Sequence, residues 1–172
     1  MPGELFDVVD ESDNVVGREL GSVSLQKGLL HRAIATLLFD SHGRLYIQKR
    51  AGDMTFYPGH WSISCTGHVS AGETYSEAAR REMKEELDLD CDLVEVTKFQ
   101  TPKWDVGGLV EWEYIVVFEG HSENPEVSLS DETTEGKFVP LEEFKRLLRS
   151  LPEKFTPDSL LAFEHYTVAK AR

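Results

Sequence analysis

Four of the five glutamates and one of the two arginines between Gly67 and Leu89 stand at fixed intervals, in the stretch GHVSAGETYSEAARREMKEELDL. Gly67 is followed after five residues by Glu73, after seven more by Arg81-Glu82, and then by apolar Met83, Lys84 and the pair Glu85-Glu86. Ala78 and Ala79 are strong helix formers, and the spacing predicts a helix from Thr74 to about Leu87. On such a helix Glu82, Glu85 and Glu86 lie three and four residues apart and share one edge. Carboxylates so crowded repel unless water or a cation lies among them, and hard-oxygen donors of this kind suit Mg²⁺ (or Mn²⁺) shared with phosphate oxygens. The bland alternative is a solvated acidic face, the ordinary meaning of an isolated Glu-Glu pair. The complete pattern favours chemistry, because ordinary residue frequencies would produce it in about one such acidic chain in ten thousand.

These residues resemble the Nudix box of the Nudix hydrolases, Gly-x5-Glu-x7-Arg-Glu-apolar-x-Glu-Glu-x-Gly-apolar. One position departs from it: Asp88 stands where the box has a glycine that caps the helix in the left-handed conformation, which Asp tolerates better than most residues. The resemblance implies that Glu82, Glu85 and Glu86 bind a divalent metal, Mg²⁺ or Mn²⁺, with the Gly67 carbonyl assisting. It implies that Glu73 and Arg81 hold the loop against the helix. It further implies one Nudix domain over residues 1–172, an α/β/α sandwich acting on a small-molecule diphosphate.

The elements that must position this stretch are readable in outline. Leu5–Val9 and Val15–Arg18 flank the turn-rich Asp10–Asn14 and predict an N-terminal hairpin, taken as a structural appendage. His31–Phe39 and Arg44–Lys49 flank a turn containing Gly43, and the continuous apolarity of the first predicts a buried central strand. Residues 51–61, AGDMTFYPGHW, form a loop, and Trp61–Thr66 a short strand leading into Gly67. Cys91–Phe99 and Leu109–Phe118 alternate as strands, residues 121–135 form a long acidic loop, and Lys137–Val139 a further strand. Pro140 and Thr156-Pro157 open two helices, each with acids in its first turn. The sum is an α+β fold with a mixed sheet.

Around the acidic helix several residues are candidates for binding. Arg50 has the planar fork that suits phosphate, although a structural ion pair serves an arginine equally well. Phe56, Tyr57 and Trp61 are aromatic cover that more often packs than stacks on a substrate. On the late acidic loop Glu132, ahead of Glu135, is the candidate for activating water, a role the resemblance implies for an acid in such a loop; solvation is the alternative. The catalytic set is therefore Glu85, Glu86 and Glu132.

Composition narrows the partners. The chain has 172 residues, 40% of them hydrophobic, enough for a sizeable core in one domain. A formal net charge of −13 argues against a nucleic-acid polymer or an anionic membrane as partner. Two cysteines, Cys65 and Cys91, make neither a disulfide framework nor a zinc spacing, so a cytoplasmic setting is expected. No run is long enough to span a membrane, and a homodimer is left open.

A second, finer resemblance involves His31, the Trp61–His68 stretch and Glu111-Trp-Glu113. They are similar to the Nudix subgroup that contains isopentenyl-diphosphate isomerase, in which a second metal sits on three His and two Glu and a Cys before the Gly-His pair moves protons. His31, His68, Glu111 and Glu113 match that set as a candidate second metal site. Ser24 aligns with the remaining His, and Thr66 with the Cys. Cys65 is one residue early, which on a strand turns its side chain to the opposite face. The expectation is therefore a pyrophosphohydrolase of a nucleoside diphosphate derivative or related organic diphosphate. The alternatives are an isomerase and a non-catalytic diphosphate-binding protein.

Overall fold

The apolar run that reads as a central strand is β3 (His31–Asp40), and nine of its ten residues are buried, which is why it lacks the alternation of a strand with one wet face. A computed structural model describes residues 3–123 and 125–172. Before β3 come the antiparallel pair β1 (Leu5–Val9) and β2 (Val15–Leu20) and a short helix α1 (Gly21–Lys27). After it come β4 (Arg44–Arg50), β5 (Trp61–Ile63), β6 (Cys65–His68), α2 (Tyr75–Leu87), β7 (Leu93–Gln100), β8 (Trp104–Val106) and β9 (Leu109–Glu111). The chain ends with β10 (Glu113–Ser122), β11 (Thr133–Pro140), α3 (Leu141–Ser150) and α4 (Pro157–Lys170).

The main sheet runs β11-β4-β3-β10-β7, with β5 added beside β4 and β6 beside β3. Only β3 and β10 pair in parallel among these strands, so the sheet is mixed. Alternate residues of β3 serve two cores. Ala33, Ala35, Leu37 and Phe39 pack with Phe144 of α3 and Ala162, Phe163 and Tyr166 of α4. Ile34 and Leu38 pack with Ala78, Ala79, Met83 and Leu87 of α2. The result is the expected α/β/α sandwich.

Helix α2 begins with a reciprocal cap: Thr74 Oγ1 accepts from the Glu77 amide, and Glu77 Oε2 accepts from the Thr74 amide at 2.8 Å. It ends at Asp88, whose φ of 51° is left-handed. The Asp88 amide reaches Lys84 O at 3.1 Å and the Leu89 amide reaches Met83 O at 3.3 Å, so aspartate closes the helix as glycine would.

Three sequence readings need correction. The strand expected over Leu109–Phe118 is broken at Trp112 into β9 and β10, which brings Glu111 and Glu113 to a strand junction. Helix α1 was not expected. It is entered through Gly21, where a Cβ would fall 2.7 Å from Phe6 Cζ. The N-terminal hairpin is no appendage either. Phe6 is fully buried, Asp7 Oδ2 accepts from the Gly72 amide at 2.8 Å, and Asp13 accepts from Arg32 Nε at 2.6 Å and from the Tyr75 hydroxyl at 3.0 Å.

Candidate active site

The β6 strand delivers Gly67 to the middle of α2. A Cβ at Gly67 would fall 2.3 Å from Glu82 Cδ, so only glycine lets this carboxylate lie against the strand. Arg81 fixes the arrangement from the other side. Its Nε and Nη2 donate to the two oxygens of Glu73 at 2.9 and 3.0 Å, and Nη2 also donates to the His68 carbonyl at 2.9 Å. Its Nη1 donates to Glu82 at 2.6 Å and to Glu85 at 3.2 Å. Glu73 and Arg81 thus tie the loop to the helix, and Glu82, Glu85 and Glu86 share one edge of it.

Their surroundings differ. Glu85 is well exposed, with 61% of its side chain accessible. Glu82 is raised by burial and partly restored by Arg81. Glu86 is buried, and burial followed by the charge of Glu82 pushes its carboxyl up to about 8. The Gln48 amide of β4 donates to it from beneath.

These glutamates line a cavity of about 470 Å³ together with Arg50, Tyr57, Thr66, His68, Glu111, Glu113, Glu132 and Asp158. Arg50 donates through Nε to the Phe56 carbonyl at 2.9 Å, so it both holds the following loop and borders the cavity. Glu132 is held there by its own carbonyl, which accepts from the Ala51 amide at 2.8 Å. Glu135 lies elsewhere: it is exposed on β11 and paired with Lys49 at 2.7 Å. Phe56 is buried and Tyr57 takes a left-handed φ of 49°, and both border the cavity. The Tyr57 phenol is pushed up to about 12 by burial, then by Glu111 and Asp158.

On the far side of β6, ligand atoms of His31, His68 and Glu113 lie within 4.8 Å of one another. The two Nε2 atoms are 3.6 and 3.3 Å from Glu113 Oε1, and both are buried without a hydrogen-bond partner. Despite its burial, Glu113 is held below the usual carboxylate range by these two rings, while burial and the charge of Glu113 push Glu111 up. Glu111 borders the cavity but stands outside the three-residue group. Phe6 stacks on both rings, at 5.0 Å from His31 and 4.7 Å from His68. Strand parity separates the remaining candidates. Thr66 borders the cavity, while Cys65 is fully buried in the α2 core with its thiol raised by burial and by Glu86.

The NUDIX domain model matches residues 29–159. This chain belongs to the Nudix family. Nudix enzymes act on small-molecule diphosphates and generally use divalent metal. The chain is 35% identical over 153 residues to isopentenyl-diphosphate Delta-isomerase 2 of Photorhabdus laumondii, covering 89% of this chain and 86% of that one. It is 36% identical over 164 residues to an uncharacterized Nudix hydrolase of Pseudomonas aeruginosa, covering 95% and 93%. Among solved structures it is similar to DR0079 from Deinococcus radiodurans, with a TM-score of 0.76, 26% identity, and coverage of 95% and 99%. No helix among the described residues is long and apolar enough to cross a membrane.

Sequence reasoning missed Asp158, Gln48 and Phe6. Asp158 sits in the first turn of α4 and was read only as a helix-start acid, yet it borders the cavity and is raised by burial. Gln48 is a buried amide, but in β4 it is followed by Lys49 and Arg50, so nothing in the sequence marks it off from an ordinary polar strand end.

Proposed function

We propose that this Nudix enzyme is a metal-dependent pyrophosphohydrolase that cleaves the diphosphate linkage of a nucleoside diphosphate derivative or related organic diphosphate. The observation that carries the reading is the nesting of Glu82 against the side-chain-free Gly67, beside buried Glu86, in a cavity that also holds Arg50 and Glu132. The donor set fits a hard divalent cation: three carboxylates share an edge, and the burial that pushes Glu86 up is relieved by positive charge. When bound, Mg²⁺ or Mn²⁺ supplies Lewis acidity toward water and the diphosphate oxygens.

In this reading Glu82, Glu85, Glu86 and the Gly67 carbonyl hold the cation. Arg50 binds and orients the diphosphate. Glu132, exposed at the cavity rim, accepts a proton from the attacking water, with Glu85 and Glu86 able to share that task. Arg81 keeps the loop and the carboxylates in register and does not meet the substrate.

Isomerisation is the second reading, and the grouping of His31, His68 and Glu113 is what favours it, since this trio suits a second metal. The residue facing the cavity where a proton-moving thiol is required is Thr66, which favours hydrolysis. The test is a panel of nucleoside and non-nucleoside diphosphates with Mg²⁺ or Mn²⁺, read as phosphate or nucleoside monophosphate release. Metal-dependent release from at least one compound is expected; ligand binding without turnover on the whole panel would favour a non-catalytic diphosphate-binding protein.

A further inference from the structure

Gln48 of β4 reaches the acidic edge of α2 from inside the protein. It is 4% exposed, and its Nε2 donates to Glu86 Oε2. Its Oε1 is buried with no hydrogen-bond partner. An amide kept half satisfied in a core is destabilising relative to an apolar side chain of the same length, so packing does not account for it. Its neighbours on the same face, Tyr46 of β4 and Cys65 of β6, lie in the apolar core beneath α2.

The orientation is informative. With its NH₂ end toward Glu86 the amide donates to one carboxyl oxygen and so fixes the direction in which that side chain is held. The amide engages Oε2 of Glu86 from the protein side, and Glu86 itself lines the cavity that Glu82 and Gly67 border. We propose that Gln48 is a positioning residue that holds Glu86 turned toward the cavity where the cation would bind. This rests on the reading of Glu86 as a metal ligand given above. Ligating carboxylates supported by an outer hydrogen bond lose on the order of 10–100-fold in metal affinity when the support is removed.

The test is Mn²⁺ binding by purified protein, followed by the loss of the free-ion electron paramagnetic resonance signal, with no substrate present. Gln48→Met keeps the length and removes both the orphaned carbonyl and the bond to Glu86, and circular dichroism is expected to show a folded protein. Its Mn²⁺ dissociation constant is expected to rise about 10–100-fold. Gln48→Asn, too short to reach Glu86, should show the same loss while keeping an amide. In turnover, saturating Mn²⁺ should restore most of the rate of either variant, a recovery that a merely structural defect would not show. Natural Mn²⁺ affinity in a folded Gln48→Met or Gln48→Asn protein overturns the positioning role alone. Absence of Mn²⁺ binding by the natural protein overturns both this role and the hydrolase reading.

Discussion

Glu82 and Glu86 sit one helical turn apart, yet one is bracketed by Arg81 and the other by Gln48 and burial. Each removal should therefore act on metal binding and leave the fold intact, because neither side chain is apolar core. Glu82→Gln and Glu86→Gln are each expected to lower turnover by about 10²-fold or more with unchanged circular dichroism. Near-natural rates at limiting metal would return these residues to the role of a solvated face. The same scale separates the two acids that the sequence assigns to the late loop. Glu132 borders the cavity and Glu135 is paired with Lys49 on the outer strand. Kinetics of Glu132→Gln should show a loss of about 10²–10⁴-fold, the usual contribution of a placed general base, and Glu135→Gln should be close to natural. Equal, natural rates for both would move proton transfer to Glu85 or Glu86.

At the scale of elements, the hairpin β1–β2 works as a wall and not as an ornament. Phe6 is fully buried and stacked on His31 and His68, so Phe6→Ala should cost about 3–5 kcal/mol, measured by denaturant unfolding. A loss below about 1 kcal/mol would mean that the hairpin hangs free. On the opposite layer α4 is tied to β10 through Glu119, which accepts from Tyr166 Oη at 2.7 Å and pairs with Lys170 at 2.9 Å and His121 at 2.7 Å. Burial pushes this carboxyl up, but its three partners win and hold it down to about 2, against an ordinary 4.5. A depressed carboxylate contributes stability that is complete above the unfolded value and is lost as pH falls through the folded one. Glu119→Gln should accordingly lower the melting temperature by about 2–4 °C at pH 7, about 1 kcal/mol after screening of its exposed partners. The gap should close between pH 4.5 and about pH 2; a gap that persists at pH 2 would trace it to shape and not to charge. Helix α2, its Asp88 cap and the two-faced β3 were legible because propensity, capping chemistry and apolar periodicity are local properties of the chain. Helix α1 was not, because its Gly21 answers to Phe6, fifteen positions earlier. Asp158 and Gln48 were hidden for the same reason: their meaning comes from β10 and α2, which the chain brings to them only on folding.

At the scale of the whole molecule, the Nudix sandwich decides where charge meets charge, and not which group the diphosphate carries. The relatives named isomerases share the fold and about a third of their residues, so the decision falls on what faces the cavity. Moving a double bond requires one group to protonate carbon and another to remove a proton from the opposite side, in a site closed to water. Thr66 faces the cavity, and its hydroxyl has no ionisation near neutral pH. A thiol titrates near ~8.5 and can be tuned lower. Cys65 offers no substitute, since it is fully buried across the strand and its thiol is pushed further up. Ser24, which the resemblance aligns with a third histidine, has a buried hydroxyl without a partner, a poor ligand beside imidazole. Hydrolysis needs neither group, only the glutamate edge, its cation and a placed water. Incubation of the protein with isopentenyl diphosphate and Mg²⁺ or Mn²⁺ is therefore expected to yield no dimethylallyl diphosphate. Steady formation at enzymatic rates would overturn the hydrolase reading and move proton transfer to the titratable groups that line the cavity beside Thr66, His68, Glu111 and Glu113 among them.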